Sequence, residues 1–253
     1  MRTSDSKVAW VTGAGSGIGR AIAIDLATEG YALAVHDRDG GQARDAAAEL
    51  KRFGHRAISY EGDVADFESN ADIGLRIVRE LGRLDCLVNN AARSCRQPFL
   101  DLPLEEFRKT WEVILGGSFH CSQIAARQMM KQKAGGAILM ISSVHAAMAY
   151  PHAADYNSAK AGLNHLARTM AAELSAHRIR VNVIEPGWVN TPGERVHFSE
   201  SEIAERGKVL PWGRLAAPAE IAKAASFLCS DRASYITGST LRVDGGFVLP
   251  RDA

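Results

Sequence analysis

Cysteine is scarce in this sequence, and the four that occur have no evident partners. Cys86, Cys95, Cys121 and Cys229 are scattered through 253 residues, without close pairing and without the spacing to histidine that a metal site needs. A disulfide framework and a zinc site are therefore not expected, and the four read as reduced, mostly buried thiols. Long apolar runs are absent as well. The stretch Met1 to Lys7 is polar and leads directly into a strand, with nothing that reads as a signal peptide or a membrane helix. The expectation is a cytoplasmic protein with no membrane contact. Charge of one sign is also missing, since 30 basic residues face 29 acidic ones for a net charge of +1. That balance lacks the electrostatic footprint of a nucleic-acid binder. No internal repeat, low-complexity tract or linker divides the chain, so residues 1–253 read as one domain.

What is present is an ordinary soluble composition, 46% hydrophobic and 23% charged, with enough chain for one large core. Short apolar runs alternate with longer amphipathic ones, as in repeated βαβ units. Val8 to Val11, Ala32 to Val35, Ala57 to Tyr60, Cys86 to Val88, Ala137 to Ile141, Val181 to Ile184 and Thr240 to Val243 read as strands. Several are nearly continuous in Val, Ile, Leu and Ala, which suits a parallel sheet covered on both faces. Helical periodicity falls between them at Arg20 to Glu29, Gly41 to Phe53, Glu68 to Leu81, Leu104 to Lys131, Ala154 to Ala176 and Ala219 to Leu228. The expected fold is α/β: a single-domain, doubly wound Rossmann fold with a seven-stranded parallel sheet and helices on both faces. The longest irregular stretch, about Trp188 to Trp212, has the character of a substrate lid around a short charged helix.

Two patterns carry chemistry. The first strand ends in Thr12-Gly13-Ala14-Gly15-Ser16-Gly17-Ile18-Gly19 and runs straight into a helix. Glycine there permits a tight turn, lets backbone approach a pyrophosphate and lets helix pack on strand, with the helix N-terminus facing the anion. Asp37, at the end of the second strand, stands where an acid accepts hydrogen bonds from the adenosine ribose and repels a 2′-phosphate. NAD is thus the preferred cofactor. Arg38 keeps NADP possible because a guanidinium pairs with phosphate, whereas Ser16 offers no such help. The plain alternative for Asp37-Arg38-Asp39 is a solvated turn. The second pattern is Tyr156 and Lys160, one helical turn apart, with Ser143 at the end of an apolar run. An ammonium on the same helix face as a phenol favours the phenolate and draws its pKa toward the working range of an acid or base.

With those motifs stated, the chain resembles the short-chain dehydrogenase/reductase family over nearly its whole length. Its local motifs are nearest to sugar (glucose-type) dehydrogenases and 3-oxoacyl reductase-like members. The resemblance implies that Ser143 hydrogen-bonds the substrate oxygen, that Tyr156 exchanges its proton, and that Lys160 tunes the tyrosine and holds the nicotinamide ribose. It places Asp63 at the adenine amino group and Val64 beside the ring. Asn89-Asn90-Ala91-Ala92 resembles the family's Asn-Asn-Ala-Gly, with Asn89 steadying the sheet and Asn90, Ala91 and Ala92 lining the cofactor. Pro186-Gly187-Trp188-Val189-Asn190-Thr191 resembles the loop that holds the carboxamide, through the Val189 backbone and the Thr191 hydroxyl. Asp244-Gly245-Gly246 matches the C-terminal signature. The implied activity is hydride transfer between a nicotinamide cofactor and a small alcohol or carbonyl. A sugar or polyol is the first expectation, and an acyl-thioester (3-oxoacyl) or other carbonyl substrate the second.

One departure weakens the match. Aligning Gly117 and Phe119 to the family's Asn-Leu-x-Gly-x-Phe puts Ile114 at the asparagine position, and isoleucine has no side-chain hydrogen bond to offer a proton relay. The Ile114 carbonyl remains as a substitute, on a helix weakened by Gly116-Gly117. A slower but active enzyme is expected, and the alternative is a nucleotide-binding or sensing protein with weak catalysis. For the substrate pocket, Ser143, His145, Tyr156 and Trp188 are the candidates, with Arg93, His152 and Arg195 as further polar groups near the strand ends and lid. Small residues Ala159, Ala161, Gly162, Ala167, Ala171 and Ala172, with the apolar tail Phe247-Val248-Leu249-Pro250, suggest a homotetramer or a homodimer.

Overall fold

The computed structural model describes residues 6–196 and 198–249; Met1 to Asp5 of the polar start and Pro250 of the apolar tail lie outside the described residues. Seven strands form one all-parallel sheet in the order β3-β2-β1-β4-β5-β6-β7. They are β1 (Val8–Thr12), β2 (Ala32–Asp37), β3 (Ala57–Glu61), β4 (Cys86–Asn89), β5 (Gly136–Ile141), β6 (Ile179–Pro186) and β7 (Thr240–Val243). Each expected strand is present, most of them extended by one to three residues.

Successive side chains of a strand point to opposite faces, and the sequence fills both faces with apolar groups. In β1, Ala9 and Val11 enter one core with Leu33, Val35, Ile22, Leu26 and Ile221. Val8 and Trp10 enter the other with Tyr60, Ile73, Ile77, Leu87 and Met140. The first core is closed by α1 (Gly17–Thr28), α2 (Gly40–Arg52) and α8 (Pro218–Cys229). The second is closed by α3 (Phe67–Leu81), α5 (Gly117–Gln132) and α6 (Ala154–Leu174).

The segment expected as one helix from Leu104 to Lys131 is broken into three pieces. A short α4 (Leu104–Trp111) leads into a π turn at Glu112–Gly116, and α5 follows directly. Such a turn fits a place where two glycines lower helix stability. Gly117 is also held to its size by packing, since a Cβ there would lie 2.8 Å from Val64 Cβ.

Strand order reverses between β1 and β4, because β2 and β3 lie to one side of β1 and β4 to β7 lie to the other. The carboxyl ends of these two strands flank a crevice, the place where doubly wound sheets take their ligands. After β6 the chain forms a 3₁₀ turn at Pro192–Val196 and then α7 (Glu200–Lys208), whose Ser199 and Glu202 make a capping box. The expected short charged helix within the irregular stretch is therefore α7. Among the described residues no helix is long and apolar enough to cross a membrane, and no group of His, Cys, Asp and Glu is arranged to hold a metal.

Candidate active site

The crevice is built around Thr12 and the glycine turn. Thr12 Oγ1 accepts from the Asn90 and Ala91 amides at 3.0 and 3.2 Å, while Asn90 Nδ2 donates to the Thr12 and Gly13 carbonyls, each at 3.0 Å. Asn90 was expected to line the cofactor. Its side-chain amide locks the end of β4 to the turn after β1, which holds the residue at the crevice. Asn89 Nδ2 donates to Ser122 Oγ and steadies the sheet as expected. A Cβ at Gly19 would lie 2.1 Å from the Gly13 carbonyl oxygen. At Gly13 it would meet Ala91 Cα at 3.0 Å, on a backbone with φ of 62°. Both positions thus admit only glycine.

These residues fit a dinucleotide. Ser16 is the N-cap of α1 yet makes no side-chain capping hydrogen bond, so the first amides of the helix face outward for an anion. Asp37 Oδ2 accepts from the Gly15 amide at 2.9 Å and Oδ1 from the Asp39 amide at 3.0 Å, which fixes the carboxylate at the turn with lone pairs left for ribose hydroxyls. Asp39, read as part of a solvated turn, caps α2 by accepting from Gly41 and Gln42. Arg38 is exposed beside them. Asp63 is exposed and closes a turn onto the Ala65 amide, with Val64 buried behind it. Thr191 reaches the same place from the other side of the sheet, since a Cβ at Gly17 would meet Thr191 Cβ at 3.5 Å. Trp188 O and Asn190 N pair with Ala216, which leaves the N–H and C=O of Val189 outside that pairing. Gly187 packs on Asp244, whose carboxylate in turn accepts from the Gly246 and Val248 amides.

Ser143 and α6 bring the second pattern to the same edge. Lys160 is buried, and Nζ donates to the Ile141 carbonyl at 2.6 Å while lying 5.4 Å from the Tyr156 ring centroid. Burial draws its ammonium down to about 7. Tyr156 is pushed up to about 12, first by burial; the Ser143 hydroxyl pulls it down, Glu194 adds to the rise and Arg96 opposes it. The sequence pattern predicts a phenol drawn down by Lys160. In the structure the ammonium turns toward a strand-end carbonyl, and desolvation dominates both groups. His145 stacks on Tyr150 at 4.7 Å and meets the Tyr156 ring edge-on at 5.6 Å, with its pKa lowered first by burial.

The remaining substrate candidates divide. Trp188 donates from Nε1 to Glu194 Oε2 at 2.8 Å and packs on Phe198. Arg195 binds Asn190 and Thr191 O and pairs with Glu200, so it braces the segment after β6 instead of lining a pocket. Arg93 pairs with Glu106, and His152 is exposed with φ of 61°. Two residues went unnoticed in the sequence. Asp155, fully buried, accepts at Oδ2 from the Cys95 amide at 2.8 Å and from Thr110 Oγ1 at 2.7 Å. Arg96 stands next in the chain, 4.0 Å from Glu194. Ile114 is wholly buried, and its carbonyl accepts from Ser118 Oγ at 2.6 Å.

A family model described as enoyl-(acyl carrier protein) reductase matches residues 13–248. A solved short-chain type dehydrogenase/reductase of Mycobacterium marinum superposes with a TM-score of 0.91, at 34% identity over 96% of both chains. The chain belongs to the short-chain dehydrogenase/reductase family. L-rhamnose 1-dehydrogenase (NAD(P)(+)) of a Sphingomonas species is 37% identical over 98% of this chain and 99% of its own. A solved 7α-hydroxysteroid dehydrogenase, in complex with NADH and 7-oxo glycochenodeoxycholic acid, gives a TM-score of 0.91 at 36% identity, covering 98% of this chain and 96% of its own. As a short-chain dehydrogenase/reductase, the protein is an oxidoreductase acting between an alcohol and a carbonyl with a nicotinamide dinucleotide.

Proposed function

We propose that this enzyme oxidises a secondary alcohol, or reduces the matching ketone, with NAD as its preferred cofactor and with Ser143, Tyr156 and Lys160 as its catalytic residues. One observation carries the assignment: Ser143 follows the carboxyl end of β5, and the buried Lys160 donates to Ile141 at that same strand end while lying 5.4 Å from the Tyr156 ring. The bound nicotinamide supplies the hydride acceptor or donor. In oxidation Tyr156 takes the hydroxyl proton of the substrate, and in reduction it returns one to the carbonyl oxygen. Ser143 hydrogen-bonds that oxygen as charge develops on it. Lys160, its ammonium anchored on the Ile141 carbonyl 5.4 Å from the Tyr156 ring, places positive charge beneath the phenol and would hold the nicotinamide ribose when the cofactor is bound.

Asp37 supports NAD, because a carboxylate held by two backbone amides would meet a 2′-phosphate with like charge. Gly13, Ser16, Gly17, Ile18, Gly19, Arg38, Asp63, Val64, Asn90, Ala91, Ala92, Pro186, Gly187, Val189 and Thr191 make up the rest of the cofactor surface in this reading. The segment from about 188 to 212 serves as the lid, and Trp188 and His145 bound the substrate space. A sugar or polyol suits this polar setting, and the L-rhamnose 1-dehydrogenase relative supports it. A homotetramer in the cytoplasm completes the reading, although Ala159, Ala167 and Ala171 of the small-residue stripe pack into the chain's own core. Sedimentation at low concentration tests the assembly.

The test of the chemistry is Tyr156→Phe, assayed with NAD and NADP against a panel of secondary alcohols and ketones. Turnover should fall by about a thousandfold or more, in line with the loss of a general acid–base group together with its oxygen contact. Near-full turnover in a folded Tyr156→Phe protein would remove the assignment.

A further inference from the structure

The mouth above Tyr156 contains a charged pair that the catalytic assignment does not use. Asp155, immediately before Tyr156, holds the Cys95 amide, so the backbone that carries Arg96 is tied to the start of the catalytic helix. From there Arg96 reaches across to Glu194 of the 3₁₀ turn, with 4.0 Å between Nη2 and Oε2. That is the outer limit of an ion pair. Glu194 already accepts from the Trp188 indole at 2.8 Å, so it is fixed in place while Arg96 holds it loosely. The Arg96 guanidinium also lies 5.4 Å from the Phe198 ring, and a second guanidinium, Arg206, lies 4.5 Å from the same ring. Two guanidinium groups therefore face this one ring, Arg96 with Glu194 as its carboxylate neighbour and Arg206 with Glu202. Both Arg96 and Glu194 are close enough for their charges to act on the Tyr156 phenol.

A guanidinium has five N–H donors in a planar fork that matches a carboxylate. Arg96 uses that fork on a distant partner, at a place 35% exposed. A half-solvated pair of this kind contributes little to stability, so exchanging Glu194 for another carboxylate has a small cost. The N-terminus of α7, next to Phe198, is closed by its own capping box, so the anion partner offered here is the planar Arg96 fork, which suits a carboxylate.

We infer that the substrate is an acid within the proposed class, an alcohol or ketone bearing a carboxylate as a sugar acid does, which Arg96 receives in place of Glu194 while the reacting oxygen sits between Ser143 and Tyr156. The inference rests on the reaction being placed at Tyr156. Arg96 is then the residue that sets specificity, and Glu194 is a built-in competitor that keeps neutral substrates from gaining the same contact.

The experiment is calorimetric titration of the NAD-saturated protein with unreactive probes of increasing size. Butyrate, cyclohexanecarboxylate and 1-adamantanecarboxylate are each paired with the neutral carboxamide of the same shape. At least one acid should bind tenfold or more tightly than its amide. Arg96→Gln should bring that ratio close to one, and Glu194→Gln should increase it. If the pair were only a brace for the loop, both variants would weaken acid and amide alike. No acid exceeding its amide, or a preference that survives Arg96→Gln, overturns the inference. The catalytic reading is tested separately by Tyr156-dependent oxidation of neutral alcohols: if that holds while no acid preference appears, only the role of Arg96 falls. Arg96-dependent acid binding without turnover of any alcohol or ketone would have the opposite meaning.

Discussion

Beneath the Tyr156 ring, Lys160 is buried against the end of β5, and in the turn after β1 the contacts around Gly13 and Gly19 leave no room for a methyl group. Above the ring, the segment after β6 is held by side chains and leaves Val196 80% and Trp212 66% exposed. Arg195 braces Asn190 and Thr191, Ser199 and Glu202 cap α7, and Arg214 pairs with Glu220. The lower region is set by strands and close packing, which tolerate few substitutions. The upper one is set by exposed polar pairs, each of small energetic weight, that substitution can exchange. A site built this way keeps one chemistry while its substrate changes.

The lower region should fail abruptly. Gly19→Ala places a methyl carbon against the Gly13 carbonyl and the Asn90 amide, and neither can retreat without opening the turn. NAD affinity measured by calorimetry should fall by about a hundredfold or more, together with a stability loss of about 1–3 kcal/mol from overpacking. Comparable crowding at Gly193, in the upper segment and with only Thr191 Oγ1 at 3.7 Å, should leave NAD affinity within a few-fold. An equal loss at both positions would break the contrast.

Acid should also divide the two regions. His36 is fully buried in β2, where Nδ1 accepts from Trp10 Nε1 at 3.2 Å and Nε2 lies 3.0 Å from the Gly62 carbonyl. Burial lowers its pKa from 6.5 to about 4. The unfolded chain therefore takes up the proton first as pH falls. Stability from this group is full above about 6.5 and is lost progressively down to about 4, a change of about 3 kcal/mol. Urea midpoints measured at pH 7 and pH 4.5 should show this drop in the wild type and a smaller one in His36→Gln. An identical drop in both proteins would assign acid sensitivity elsewhere.

The same division explains what the sequence made legible. The glycine turn, Ser143, Tyr156 and Lys160 owe their places to local backbone rules and to strand ends, which leave periodic marks along the chain. Arg96 left none, because its position depends on Asp155, which holds the preceding Cys95 amide from 60 residues away in sequence. Asp155 itself looked like any acidic residue in a first helical turn. Trp188 was visible as a candidate, but the indole bond to Glu194 that directs it was not, and Arg195 looked like a pocket cation when its partners lie within its own segment. The four-residue spacing puts Lys160 on the helix face of Tyr156, yet the direction of its ammonium follows from where β5 ends, which spacing alone does not reveal.

Ile114 brings the smallest expected effect and lies on the border between the regions' logics. Its side chain is part of the core with Val64, Cys121 and Leu163, while its carbonyl, inside the π turn, already accepts from Ser118 Oγ. The sequence offers that carbonyl as a substitute for the family's asparagine, and a carbonyl has a second lone pair that Ser118 leaves available. If proton movement away from Lys160 limits the rate, Ile114→Asn should raise kcat by a few-fold and shift its pH profile toward lower pH. The change should also cost about 1–3 kcal/mol where the amide stays without a full set of partners in an apolar core. The two effects separate cleanly, because kcat against pH reports the relay and thermal unfolding reports the core. A lowered Tm with an unchanged pH profile would mean that the backbone suffices, and that isoleucine stands at this position for packing.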